Sequence, residues 1–164
     1  MELKKSVLIR QPIGKVWDIL GNQFTQADQW ASGLYHSEGK GKPEISGAVC
    51  DQRSCQTSFG NVTEKLRTLD AENKILSYEV IEGFPFFVER GVNTWKLFPD
   101  AQGTRVEVCL ELTTKGLFGT VMAPMLKWQM GGILEAAVDD LKQYVETGEP
   151  SHRKAKELAK AQAA

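Results

Sequence analysis

Histidine is the scarcest chemical resource of this 164-residue chain: His36 and His152 are the only two. His152 stands near the C-terminus, and His36 stands on a β-rich stretch beside Tyr35, with no carboxylate partner visible in the sequence. A zinc site built from histidines is therefore not expected. Cysteine is also sparse. Cys50, Cys55 and Cys109 make an odd count without CxxC spacing, which argues against a disulfide framework and for reduced thiols packed as small hydrophobes. No glycine-rich phosphate loop and no nucleophile motif is present, so neither metal nor cofactor is expected. No apolar run is long enough to span a bilayer or form a signal-peptide core, and the expected location is cytoplasmic. Charge of one sign is missing as well. The formal net charge is -1, and no run of Lys and Arg precedes residue 150, so the basic stripe of a nucleic-acid reader is absent.

What is present is the composition of one ordinary globular domain, 41% hydrophobic and 25% charged. A chain this long buries roughly 70% of its unfolded surface and needs no staple. Residues 3–10 are rich in β-formers and stop at Gln11-Pro12, and proline favours the first position of a helix. Ile13, Val16, Trp17 and Leu20 then recur at helical spacing, predicting a short helix over 12–21. Gly21-Asn22 ends it, and a second short helix is expected over 24–31.

From residue 33 to 114 the apolar period becomes two, punctuated by Gly, Asn and Asp. This predicts an antiparallel meander with strands near 33–38, 47–55, 59–69, 73–82, 86–98 and 104–114. In the last of these, Val106, Val108, Leu110 and Leu112 share one face and should meet the core. From Leu117 to Val145 the helical period returns as one long amphipathic helix, stopped by Thr147-Gly148-Glu149-Pro150. Residues 149–164 form a basic, Ala-rich tail, expected as a frayed helix or a disordered segment outside the 1–148 domain. The fold class is therefore α+β: a seven-stranded curved antiparallel sheet around a long C-terminal helix, with two short helices after the first strand. One helix cannot cover seven strands tightly, so a hollow for a small molecule is expected between the layers.

Alternation assigns polar side chains to that hollow. Val62, Glu64 and Leu66 share a face, as do Leu76, Tyr78 and Val80. Trp95 and Leu97 place Phe87, Glu89 and Asn93 on theirs. A carboxylate among apolar neighbours is a candidate acid or base, because desolvation disfavours its charged form. Glu64 is thus a candidate catalytic residue, with Tyr78 or Arg53 orienting a substrate; the alternative is that Glu64 and Glu89 sit in structural ion pairs or reach water at the rim. The expected ligand-binding set is Glu64, Tyr78, Phe87, Glu89, Asn93, Trp95, Phe59, Met125, Trp128 and Gly132. Gly131-Gly132 lie mid-helix, where each glycine costs about 1 kcal/mol against alanine; either a neighbour approaches the backbone there or room is kept for a guest. Phe84-Pro85-Phe86-Phe87 falls at a strand connection, where exposed apolar residues need a reason. A cavity lid, a homodimer contact or a loop folded onto the long helix would supply one.

The element order and several segments together resemble the START-like superfamily, also called Bet v 1-like or helix-grip, and within it the polyketide cyclase/dehydrase-like (SRPBCC) branch. Val16-Trp17-Asp18-Ile19-Leu20 with Phe24 and Trp30 resembles its first-helix signature. Glu64-Lys65-Leu66, Leu69-Asp70 and Ile75-Leu76-Ser77-Tyr78-Glu79-Val80 resemble its central hairpin, Gly103-Thr104-Arg105-Val106 its turn into the last strand, and Leu141 to Glu146 the end of its long helix. The resemblance spans about residues 3–147. The hairpin is also distantly similar to that of the plant abscisic acid receptors, but Thr57-Ser58-Phe59-Gly60-Asn61 lacks their Ser-Gly-Leu-Pro gate. The resemblance implies binding of an apolar or aromatic small molecule, lipid or polyketide-like. It implies no single reaction, since carriers, receptors, cyclases and hydratases share the fold. A hydrophobic-ligand binder, a cyclase, aromatase or hydratase-type enzyme, and an interaction module working through Phe84–Phe87 or the tail are the three readings.

Overall fold

In a computed structural model, which describes residues 1–163, the chain runs β1 (Glu2–Ile9), α1 (Ile13–Trp17), β2 (Leu34–Lys40), β3 (Gln52–Thr57), β4 (Gly60–Asp70), β5 (Ile75–Glu82), β6 (Val88–Asp100), β7 (Gly103–Thr114), α2 (Gly116–Thr147) and α3 (His152–Ala163). The helix begun at Ile13 widens into a π turn over Asp18–Asn22, and a 3₁₀ turn follows over Phe24–Gln29. All strands join one antiparallel sheet in the order β1-β7-β6-β5-β4-β3-β2. The strand expected over 47–55 begins later, at Gln52, and residues 41–51 connect it to β2 irregularly, with Gly41 and Gly47 at positive φ.

Pairing follows the alternation. Val106, Val108 and Leu112 on β7 are buried, while Arg105, Glu107 and Glu111 look away from the core. Each fully buried Val or Leu contributes roughly 1.5–3 kcal/mol, which holds the register of the strand. The C-terminal half of α2 lies over β1 and β7, with Leu134, Val138, Leu141 and Val145 buried. It is tied to β1 and to the residue that follows it. Lys5 Nζ meets Glu135 at 2.9 Å, the Arg10 N–H donates to Glu146 at 2.7 Å, and Lys142 Nζ donates to the Leu8 carbonyl. The helix stops at Gly148, whose φ of 78° suits the left-handed turn and whose N–H bonds the Tyr144 carbonyl at 2.8 Å.

The C-terminal tail departs from expectation. His152–Ala163 is a helix docked on the domain, and the last residue of the expected tail lies outside the described residues. Lys154 in this helix is only 1% exposed and donates to the Leu34 carbonyl at 2.6 Å. Composition suggested a segment with too little apolar surface to settle; a buried cation with a backbone acceptor and a carboxylate supplies the missing anchor. Among the described residues no helix is long and apolar enough to cross a membrane.

Candidate functional site

Because α2 covers the β1–β7 edge, the face of β3–β6 is left to the Ile13–Gln29 segment and to the N-terminal half of α2. Between them lies a cavity of about 1090 Å³. Ile19, Leu20, Phe24, Ala27 and Trp30 form one wall, and α2 residues between Pro124 and Ala137 form the other. Phe59 and Trp128 line it yet remain 62% and 82% exposed, so they mark its mouth.

A strip of polar side chains crosses the sheet on this face. The register pairs Arg53 with Glu64 and Tyr78 with Asn93. Directly paired residues on one face stand within contact distance. Arg53 and Glu64 are both buried and joined by charge-assisted hydrogen bonds: Arg53 Nε donates to Glu64 Oε2 at 2.8 Å, and Nη2 reaches the same oxygen. Nη1 donates to the Phe24 carbonyl, and the guanidinium lies 4.0 Å from the centre of the Phe24 ring. Burial alone would lower the Arg53 pKa; the charge and hydrogen bonds of Glu64 outweigh it and raise the pKa. Cys55 donates to Glu64 Oε2 at 3.6 Å, and burial pushes its thiol up to about 12.

The Tyr78 phenol is likewise pushed up to about 12, first by burial and then by the Glu64 charge. It stays protonated at neutral pH. Trp95 Nε1 donates to Tyr78 Oη at 3.3 Å, which leaves the phenol hydrogen free to point at another acceptor. On the neighbouring strand, Asn93 Oδ1 is buried and finds no hydrogen-bond partner among the described residues. An orphaned buried polar atom costs about 1–3 kcal/mol, so a guest that satisfies it gains by entering.

The structure therefore brings together Arg53, Glu64, Tyr78, Asn93 and Trp95 in the cavity, with Gly132 on its α2 wall and Phe59 and Trp128 at its mouth. Three expected residues lie elsewhere. Glu89 is exposed, because the β6–β7 register slips between Val88 and Arg90. The extra residue of this bulge turns Val88 inward and Glu89 outward, which strict alternation does not show. Phe87 precedes β6 and packs at ring-centroid distances of 5.5 Å on Phe86 and 5.2 Å on Phe118, away from the cavity wall. Met125 is 53% exposed on the outer side of α2. A Cβ added to Gly131 or Gly132 would meet nothing within 4 Å, so no neighbour needs their bareness.

The sequence reading missed the part played by Ala31–Leu34 and Ser58, which line the cavity from the connection into β2 and from the β3–β4 turn rather than from the middle of a strand. It also missed Glu2, Cys109 and Glu111, which β1–β7 pairing gathers on the opposite face of the sheet; there Glu2 already pairs with Lys4 at 2.6 Å.

A sheet gripping one long helix over a partly polar-floored hollow defines a START-like, helix-grip protein. The family model described as polyketide cyclase / dehydrase and lipid transport matches residues 1–146, and the chain belongs to that family. Members generally bind ligands, hydrophobic ones among them. No curated protein matches the chain. Among solved structures, a START superfamily protein from Mycobacterium smegmatis is similar at 18% identity and a TM-score of 0.73, over 88% of this chain and 97% of that one. XoxI from Bacillus cereus is similar at 17% identity and a TM-score of 0.70, over 88% and 94% of the two chains. A norcoclaurine synthase point mutant from Thalictrum, in complex with a transition-state analogue, is similar at 16% identity and a TM-score of 0.70, over 88% and 93%. At these identities the likeness establishes the fold.

Proposed function

We propose that this protein binds an apolar or aromatic small molecule, lipid or polyketide-like, within the cavity, and that the bound molecule carries a hydroxyl or phenol at its buried end. The carrying observation is the pairing of a spacious, mainly apolar hollow with two unspent polar groups on its floor: the free Tyr78 hydrogen and the unpartnered Asn93 Oδ1. A hydroxyl accepts from the first and donates to the second. Phe59 and Trp128 flank entry, and Glu64 and Arg53 set the charge balance of the floor. The free thiols Cys50, Cys55 and Cys109 fit a reducing compartment such as the cytoplasm. Native mass spectrometry of protein purified from its own host tests the reading. A co-purified apolar compound is expected; a mass with no adduct, together with no uptake of an apolar fluorescent dye, would sink it.

A second reading is enzymatic. Glu64 lies buried beside an oriented Arg53 and next to Tyr78 in the same cavity. That arrangement suits a cyclase, aromatase or hydratase in which Arg53 or Tyr78 orients a carbonyl and Glu64 moves a proton. Binding remains the preferred reading because Glu64 Oε2 is already engaged by two guanidinium nitrogens and a thiol. Turnover that disappears in Glu64→Gln while ligand uptake persists would reverse that preference.

The homodimer reading draws support from Phe86, 75% exposed and stacked at 5.5 Å on Phe118, beside exposed Leu117, Val121 and Met125 on α2. A second copy offers the same face, so the contact would be isologous. Sedimentation of the wild type against Phe86→Ser tests it: a dimer that becomes a monomer supports the contact, and a monomeric wild type removes it.

A further inference from the structure

We infer that α3, which lies beyond the residues matched by the family, positions the mouth of the cavity through Lys154 and Glu157 and so sets how fast a guest leaves; the inference rests on the binding reading above. The family match ends at residue 146, and α3 begins at His152. Its most buried side chain is the charged Lys154. The helix grips the backbone of the short segment that links the 3₁₀ turn to β2.

The grip is specific. Glu157 accepts the Gly33 N–H through both carboxylate oxygens, at 2.9 and 3.0 Å. Lys154 donates to the next carbonyl, that of Leu34, at 2.6 Å, and its ammonium stands 3.7 Å from Glu157. One residue earlier, the Ser32 N–H donates to fully buried Asp140 of α2 at 2.8 Å, and Arg153 of α3 reaches the other oxygen of Asp140 at 3.2 Å. Three consecutive residues are thus held at the backbone by charged side chains, the stronger class of hydrogen bond.

What is held is cavity wall. Ser32, Gly33 and Leu34 all line the hollow. The Gly33 carbonyl accepts the Ser58 N–H at 2.9 Å, and Leu34 pairs with Thr57. Ser58 precedes Phe59, the exposed aromatic at the mouth. A continuous path therefore runs from α3 through Gly33 to the Ser58–Phe59 turn. Gly33 itself has a φ of 77°, a conformation open to few other residues, so the segment has a defined shape to lose once its clamps are removed.

The test uses the full chain and 1-aminoanthracene as an apolar fluorescent guest, read alongside amide exchange. In Glu157→Ala, exchange at Ser32–Leu34 should accelerate and the guest should dissociate about ten-fold faster, the scale set by losing a charge-assisted hydrogen bond. Glu157→Gln, which keeps one oxygen for the Gly33 N–H, should restore most of the protection and most of the slow release. Lys156→Ala, on the exposed side of α3, should change neither. Lys154→Met should behave as Glu157→Ala does; if it fails to fold, the glutamate series decides. Unchanged exchange at residues 32–34 overturns the inference. So does faster exchange with unaltered guest release, which would make α3 merely structural. A wild-type chain that takes up no guest instead refutes the binding reading.

Discussion

Breaking the Arg53–Glu64 pair from one side is expected to cost more than removing both partners. Either single truncation leaves a buried charge without its counter-ion, and such losses run to about 3–5 kcal/mol. Arg53→Met with Glu64→Leu should recover most of that, read as the denaturant midpoint of the double variant against each single one. Tyr78 gives a second residue-scale prediction. Its phenol titrates at about 12 in the native state against an ordinary value of 10.0. Between those values the native state keeps a proton the unfolded chain has lost. The stability linked to it is complete below pH 10 and declines as pH rises toward about 12. Phenolate absorbance should show Tyr78 as a late-titrating tyrosine, and Tyr78→Phe should flatten that part of the stability profile. Tyr78 and Asn93 face the cavity as parity expects because they pair in an unbroken stretch of β5 and β6, where parity decides the face. Glu89 does not, because a single inserted residue reverses parity and leaves no mark in composition.

At the scale of elements, the mid-helix glycines of α2 make a clean test. Added Cβ atoms at Gly131 and Gly132 meet nothing within 4 Å. Gly131→Ala should therefore raise stability by about 0.5–1 kcal/mol from helix propensity alone, seen as a higher thermal midpoint with little effect on ligand uptake. Gly83 is the opposite case. Its φ is 98°, and a Cβ there would strike the Asn61 carbonyl. Gly83→Ala should destabilise by more than about 1 kcal/mol and perturb the β4–β5 pairing, measurable by denaturation and by amide exchange in those strands. The long helix and the meander were readable from their periods of 3.6 and 2. The anchoring of α3 was not. Its fixation comes from Lys154 reaching a carbonyl 120 positions away in sequence, a contact that no local pattern encodes.

For the whole molecule, a guest that binds only the folded state must stabilise it. An apolar ligand at about one hundred times its dissociation constant should add about 2.7 kcal/mol, visible as a concentration-dependent rise in the unfolding midpoint. Asn93→Leu should reduce that rise for hydroxylated ligands and spare it for pure hydrocarbons, which separates recognition of the buried end from simple filling of space. The hollow itself was foreseeable from the shortage of helix relative to sheet, since the count of elements sets how much surface must stay uncovered. Its chemical character was less so, because the wall formed by Ala31–Gly33 and the Ser58 turn belongs to loops.

The charged anchors of α2 are concentrated at one end. Glu135, Lys142 and Glu146 fasten its C-terminal half to β1 and to Arg10 just after it, whereas the half facing the cavity carries Pro124, two adjacent glycines and no acidic side chain from Gly116 to Leu134. Its first turn is held as well, by the Lys115 N–H on the Phe87 carbonyl at 2.9 Å and by Phe118 against Phe87, so the rod is pinned at both ends and softened between them. The capacity of the chamber then follows the bow of that middle stretch more than the gauge of any single side chain, and guests of unequal bulk can share one unaltered β-scaffold.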